Sequence, residues 1–236
     1  MTIIQTFSNF GSTAYLHEDA TVTTSGNPRF GEFGGDSSAV QHLLKDITVL
    51  TATNFAYAAL KADGTVVTLG NPLNGGNSDT VNNLLTAITT IAATSTAFAA
   101  LKADGTVVTW GDPEWGGDSR TIQHLLIDIT AIASSNSAFA ALKKDGTVIT
   151  WGNPKGGGNS NAIQEKLINV RKLFSTKRAF AALKSDGSIV SWGDPNAGGD
   201  NSSVQKNLIN IQTIITDRYR FTVRHQHLCL RIRFEL

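Results

Sequence analysis

Several residues in this chain have the chemistry of a site, and most of them recur. Asp or Asn stands before a proline at Asn71, Asp112, Asn153 and Asp194, and after a Gly-Gly pair at Asp36, Asn77, Asp118, Asn159 and Asp200. Oxygen ligands in such number suit a hard cation such as calcium, whose affinity follows the charge of its ligands. A further aspartate recurs without change at Asp19, Asp63, Asp104, Asp145 and Asp186, as a catalytic acid would. Trp110, Trp151 and Trp192 could stack on sugar rings. Near the C-terminus, His225, His227 and Cys229 offer three potential zinc ligands.

A plainer chemistry accounts for most of these. Exchanging Asp for Asn in alternate copies would cost a calcium site charge, whereas helix N-caps and Asx-turns use either side chain to accept a backbone N–H. Ser37, Ser78, Ser119 and Ser160, next in line, are equally good caps. The recurrent aspartates of the third set are explained by their place in a tight turn, four of them beside a hairpin glycine. The tryptophans end strands at a core-facing position, where Leu69 replaces them once. The Gly-Gly pairs could cradle an anion, but the adjoining Asp or Asn would occupy the same N–H groups. Strand alternation puts Arg231 and Arg233 on the same face as the His and Cys residues, which reads as an edge strand with a basic outer face. No nucleophile elbow, phosphate loop or zinc helix is present. The expectation is a protein that is not an enzyme and needs no metal or cofactor.

Stepping outward, the frame that positions these residues is a repeat. Ala56, Ala97, Ala138 and Ala179 are 41 residues apart, and all five prolines (Pro28, Pro72, Pro113, Pro154, Pro195) fall at one position of the unit. The units span about 3–46, 47–87, 88–128, 129–169 and 170–210, with a degraded half-unit at 211–236, so that residues 1–236 read as one repeat domain. Within a unit, "ITTIAAT", "AFAALK" and "TVVTW" read as three strands, the last two joined by an Asp-Gly hairpin. "AFAAL" is apolar on both faces, as a strand between neighbouring sheets should be. Ile122, Leu125 and Leu126 have the i, i+3, i+4 spacing of a short helix. A unit this small cannot bury its apolar surface alone and must stack on the next.

The stretch "AALKADGTVVTWG", with Leu101, Asp104, Gly105, Trp110, Gly111 and then Gly116-Gly117, resembles the repeat of the regulator of chromosome condensation family. The resemblance covers about five units. It implies a mainly β repeat protein, a propeller-like ring of about five to six three-stranded units, each followed by a short helix. The units here are shorter and fewer than the family's, and a linear β/α solenoid with worn end units as caps is the alternative. The family's exchange-factor activity toward a small GTPase resides outside the repeat consensus, and no counterpart is found.

Comparing the units also shows where they differ. Between Pro and Gly-Gly the residues are Leu73-Asn74, Glu114-Trp115, Lys155-Gly156 and Asn196-Ala197, with Arg29, Phe30, Glu32 and Phe33 in a longer first loop. Variable side chains on a constant frame form the binding surface of many repeat proteins, and large aromatics make good anchors. Arg29, Phe30, Glu32, Phe33, Leu73, Asn74, Glu114, Trp115, Lys155 and Asn196 are therefore the candidate partner-binding residues.

Charge suggests a partner as well. The net charge is +1, yet residues 1–142 contain 5 Lys+Arg and 12 Asp+Glu (about −7) while residues 143–236 contain 15 and 7 (about +8). The expected function is a binding or assembly module whose partner is a protein or a second copy, docked head-to-tail between acidic and basic halves. A carbohydrate-binding lectin with one shallow site per repeat is the alternative, and nucleic acid is disfavoured. The single cysteine excludes an intramolecular disulfide framework. With no signal peptide and no membrane span in the sequence, the default location is the cytoplasm, with leaderless export still open.

Overall fold

The computed structural model describes residues 2–26, 35–203, 208, 210–225 and 232–233. Among these residues the chain forms six sheets, each of three antiparallel strands in sequential order. Sheet 1 is β1 (Ile3–Ser8), β2 (Ser12–His17) and β3 (Val22–Gly26); sheet 2 is β4 (Ile47–Ala52), β5 (Ala56–Lys61) and β6 (Val66–Gly70). Sheet 3 is β7 (Ile88–Ala93), β8 (Ala97–Lys102) and β9 (Val107–Gly111); sheet 4 is β10 (Ile129–Ser134), β11 (Ala138–Lys143) and β12 (Val148–Gly152). Sheet 5 is β13 (Val170–Ser175), β14 (Ala179–Lys184) and β15 (Ile189–Gly193); sheet 6 is β16 (Ile211–Thr216), β17 (Phe221–His225) and β18 (Ile232–Arg233). The chain divides into two compact units, Met1–Arg120 with sheets 1 to 3 and Thr121–Leu236 with sheets 4 to 6.

In each unit the cores lie between successive sheets. Ala14, Leu16 and Val22 of sheet 1 meet Tyr57, Ala59, Val67 and Leu69 of sheet 2. The other face of sheet 2, with Ala56, Ala58 and Leu60, meets Phe98, Ala100, Val108 and Trp110 of sheet 3. In the second unit Ala138, Ala140 and Leu142 meet Phe180, Ala182 and Trp192, and Ala179, Ala181 and Leu183 meet Phe221 and Val223. The central strand is thus buried on both faces, as its unbroken apolar run requires. Alanines let the sheets approach, and aromatics fill the gaps: Tyr57, Phe98 with Trp110, Phe180 with Trp192, and Phe221. A fully buried Phe of this kind contributes roughly 2–3 kcal/mol.

Three features differ from expectation. The short helix is a 3-10 turn, Gln123–Leu125, repeated at Gln41–Leu43, Asn82–Leu84 and Asn161–Lys166. One tight turn cannot keep residues four apart on a common face. Leu126, just past the turn, is fully buried, while Leu125 is exposed. Second, the serines after the Asp or Asn are buried and point at the third strand. Ser78 meets Thr68 at 3.1 Å, Ser119 meets Thr109 at 2.9 Å and Ser160 meets Thr150 at 3.0 Å. They pin the linker to that strand and cap no turn. Third, "RHQHLCLRIRF" is not a single strand, because β18 pairs back antiparallel on β17 (Val223 with Ile232). His227, Cys229 and Arg231 lie outside the described residues.

The linkers after β3, β12 and β15 cover the open edges of those strands. Gln41 donates to the Val22 carbonyl, Gln164 to that of Val148 and Asn201 to that of Ile189, at 2.9, 2.9 and 3.1 Å. This cover does the task of a fourth strand. The outer face of sheet 1 is different again: Thr13, Tyr15, Thr23 and Ser25 stand where sheet 3 has Phe98, Ala100, Val108 and Trp110. Its hydroxyls bond along the surface, Tyr15 to Ser25 at 3.3 Å and Ser8 to Thr13 at 3.2 Å, a composition suited to water.

Candidate interaction surface at the proline loops

Antiparallel pairing puts two kinds of loop at the same end of every complete sheet: the tip joining its first and second strands, and the proline loop that leaves its third. Each proline loop is a short 3-10 turn with a built frame. Asn71, Asp112, Asn153 and Asp194 are its N-caps, accepting from the backbone N–H of Leu73, Glu114, Lys155 and Asn196 at 2.9–3.0 Å. Proline follows the cap, where its missing N–H costs nothing. After Gly-Gly, the side chains of Asp36, Asn77, Asp118, Asn159 and Asp200 each accept from the N–H two residues on. Asp and Asn alternate freely because all these positions need only an acceptor.

Two glycines explain the constant pair. Gly75 ends the turn at φ +95°, and a Cβ there would lie 2.5 Å from the Phe98 ring of the next sheet. A Cβ on Gly117 would lie 2.4 Å from the Gly111 backbone. The pair is therefore a close-packing device, and its approach to protein atoms leaves no room for an anion cradle.

Sequence reasoning missed the residue that locks this frame. Thr53, Thr94, Ser135 and Thr176, all buried, are themselves 41 residues apart. Each hydroxyl accepts from the N–H opening the second strand (Ala56, Ala97, Ala138, Ala179) at 2.9–3.1 Å. Each then donates to a carbonyl in the proline loop (Asn74, Trp115, Gly156, Ala197) at 2.8–3.2 Å. The period was the available signal; the hydroxyl's second partner, 21 residues away, was not visible in the sequence.

This staple sorts the variable pairs. The first residue projects: Leu73 is 79% exposed, and Glu114, Lys155 and Asn196 are exposed. The second residue turns in, half-buried at Asn74 and Trp115 and buried at Gly156 and Ala197. Arg29, Phe30, Glu32 and Phe33 lie outside the described residues.

The other chemistry-bearing side chains have structural partners. Trp110 and Trp192 are buried, stack on Phe98 and Phe180 at 5.1 and 5.4 Å, and donate Nε1–H to the carbonyls of Gly75 and Gly157 at 3.1 and 3.0 Å. Trp151 is likewise buried against Phe139. The strand-end tryptophans are therefore closed to a sugar ring, and the lectin reading loses its stacking platform. In sheet 2, Leu69 has no N–H to offer, and Tyr57 in place of Phe donates its hydroxyl to the Ser12 carbonyl at 3.0 Å. Burial pushes that phenol's pKa up.

The recurrent hairpin aspartates each hold the Thr or Ser two residues on. Asp19, Asp63, Asp104, Asp145 and Asp186 accept from its hydroxyl at 2.6 Å and from its N–H at 2.9–3.1 Å. Those bonds hold the carboxyls below the usual carboxylate range, the hydroxyl bond contributing most. Each of these carboxylates thus has a structural task in its turn. Among the described residues, no group of three or more His, Cys, Asp or Glu is placed to hold a metal ion, and no helix is long and apolar enough to cross a membrane.

No protein-family model and no curated protein sequence matches this chain. Solved structures do. The chain is similar to Prp20p of Saccharomyces cerevisiae, the yeast RCC1 protein, at 18% identity and TM-score 0.59, covering 95% of this chain and 70% of that one. It is similar to the ectodomain of the receptor kinase CR4 of Physcomitrella patens at 17% identity and TM-score 0.56, covering 95% and 59%. It is also similar to human WBSCR16 at 16% identity and TM-score 0.51, covering 81% and 61%. At these identities the likeness is one of fold, and the six three-stranded antiparallel sheets fit an RCC1-like propeller repeat fold.

Proposed function

We propose that this protein is a non-enzymatic interaction module that engages another protein through the projecting residues of its proline loops. The observation behind this reading is the contrast within one loop: cap, staple and glycines recur in the four described copies, while the outward residue changes from Leu73 to Glu114, Lys155 and Asn196. Folding does not require that change. The neighbours support the class of function: Prp20p is described by its binding to Gsp1p and histones, and in complex with Kap60. Which partner this chain takes is its own matter. Arg29, Phe30, Glu32, Phe33 and Trp115 belong to the same proposed surface, with Trp115 a half-buried anchor. Self-association, acidic half to basic half, is one form of the reading, and action in the cytoplasm is its default setting.

The test exchanges loop residues between copies, which leaves the frame intact. Glu114→Lys with Trp115→Gly installs the pair found at Lys155-Gly156. Proteins captured by the full chain and lost from this variant, yet kept by an Asp104→Asn variant at the opposite strand end, would establish the surface. Equal capture by both variants would defeat it. For the self-associating form, sedimentation that shows only monomer at low salt and millimolar protein is the opposing result.

A further inference from the structure

The strand tips beside the proline loops tell a second story in the unit spanning Thr121–Leu236. Each tip joins the first strand of a sheet to the second, and neighbouring tips are joined by backbone: Asn136 N–H donates to the Lys177 carbonyl at 2.8 Å, and Lys177 N–H to that of Arg218 at 2.9 Å. This ladder asks nothing of the side chains. Sheet 4 accordingly has Asn136-Ser137 at its tip, and sheet 3 has Ser95-Thr96. Sheet 5 instead has Lys177-Arg178, and sheet 6 has Arg218-Tyr219-Arg220.

Four cations on two adjoining tips repel one another, a cost the fold has no reason to bear. They are also held ready. Arg178 is fixed by Asp194 at 3.0 Å, and that carboxylate's other oxygen is the N-cap of the proline loop, so tip and loop form one continuous surface. Lys177 Nζ lies over the Tyr219 ring, 5.3 Å from its centroid. Asp217, on the same tip, accepts from the N–H groups of Tyr219 and Arg220 at 2.8 and 2.9 Å. Arg218, Tyr219 and Arg220 are exposed.

We infer that the tips of sheets 5 and 6 form a docking surface for an acidic protein segment. The inference rests on the reading of the chain as a protein-interaction module and names the partner chemistry for this part of it. A peptide can set carboxylates against Arg218 and Lys177 and pass an uncharged residue over Asp194 and Asp217. A phosphodiester strand has a charge at every nucleotide and would meet those carboxylates. One face of Tyr219 is already covered by Lys177, which limits base stacking on it.

The experiment is fluorescence anisotropy with the full chain and three labelled probes: a ten-residue peptide alternating Glu and Gly, its Lys-Gly counterpart, and a ten-nucleotide thymidine strand. The tip variant is Lys177→Ser, Arg218→Ser, which borrows Ser95 of the sheet 3 tip. The control is Lys143→Ser, Lys184→Ser, equal in charge and at the other strand end. The Glu-Gly peptide should bind the wild type in a salt-dependent manner. Binding should fall about fivefold in the tip variant, since two partly screened ion pairs contribute roughly 0.5 kcal/mol each, and hold within about twofold in the control. Equal loss in both variants, tighter binding of thymidine, or no peptide binding would each overturn the inference. Circular dichroism and the unfolding midpoint of the tip variant show whether its fold is kept. The loop-exchange variants leave these tips untouched, so failure there and failure here are separate results.

Discussion

Leu69 occupies the strand-end position that is Trp in the next three copies, so a reading by repeat alone makes Trp110→Leu a mild change. The structure predicts otherwise. Trp110 stacks on Phe98 with ring centroids 5.1 Å apart and planes inclined by 24°, and its Nε1–H satisfies the Gly75 carbonyl at 3.1 Å. Losing the stack costs about 0.5–1.5 kcal/mol. Leaving a buried carbonyl without its donor costs about 1–3 kcal/mol. With partial collapse of the vacated volume, the total is about 3–5 kcal/mol. Sheet 2 pairs its leucine with Tyr57 on the neighbouring strand, whose hydroxyl brings a donor into the gap, onto the Ser12 carbonyl. Phe98→Tyr alone adds a hydroxyl to a filled site and should cost about 1–2 kcal/mol. Phe98→Tyr with Trp110→Leu copies the sheet 2 pair, and its cost should fall below the sum of the single changes by at least about 1 kcal/mol. Urea unfolding followed by far-ultraviolet circular dichroism measures all three midpoints. Costs that add to within about 0.5 kcal/mol would refute the coupling of the two positions.

Further predictions follow the same frame. Thr94→Val keeps the shape but strips the staple from a buried N–H and carbonyl and should cost about 2–4 kcal/mol, whereas Thr94→Ser, the residue used at Ser135, should cost under 1 kcal/mol; equal effects in chemical denaturation would remove the staple. Ala87 sits at φ +55°, where the equivalent Asn169 and Asn210 sit at φ +56°. Ala87→Asn should therefore raise the unfolding free energy by about 0.5–1 kcal/mol, and a lower midpoint would contradict the strain. The hairpin aspartates have folded pKa values below their unfolded ones, so their contribution is present above about pH 4 and is lost as pH falls through the folded values. Replacing Asp63, Asp104 and Asp145 by Asn should flatten the acid limb of stability against pH and leave pH 6 to 8 level, whereas an unchanged acid limb would show that other groups govern it.

What the sequence determined by itself is whatever depends on neighbours a few residues apart. Asp63 and Thr65, or Asn71 and Leu73, meet through bonds two residues long, so hairpin and cap could be read from residue type and spacing. The 41-residue period and the doubly apolar central strand likewise required sheets that stack. Tertiary structure alone decided which residue of a variable pair faces out, because Thr94 reaches the Trp115 carbonyl from the preceding strand tip. It turned the serines inward, replaced the expected helix with a single 3-10 turn, and folded the tail back on itself. It also joined the tips of sheets 5 and 6 through Lys177 and Arg218, 41 residues apart in the chain. A repeat shows which positions are equivalent. Which of them touch depends on how one copy packs against the next, and that contact lies beyond the reach of local spacing.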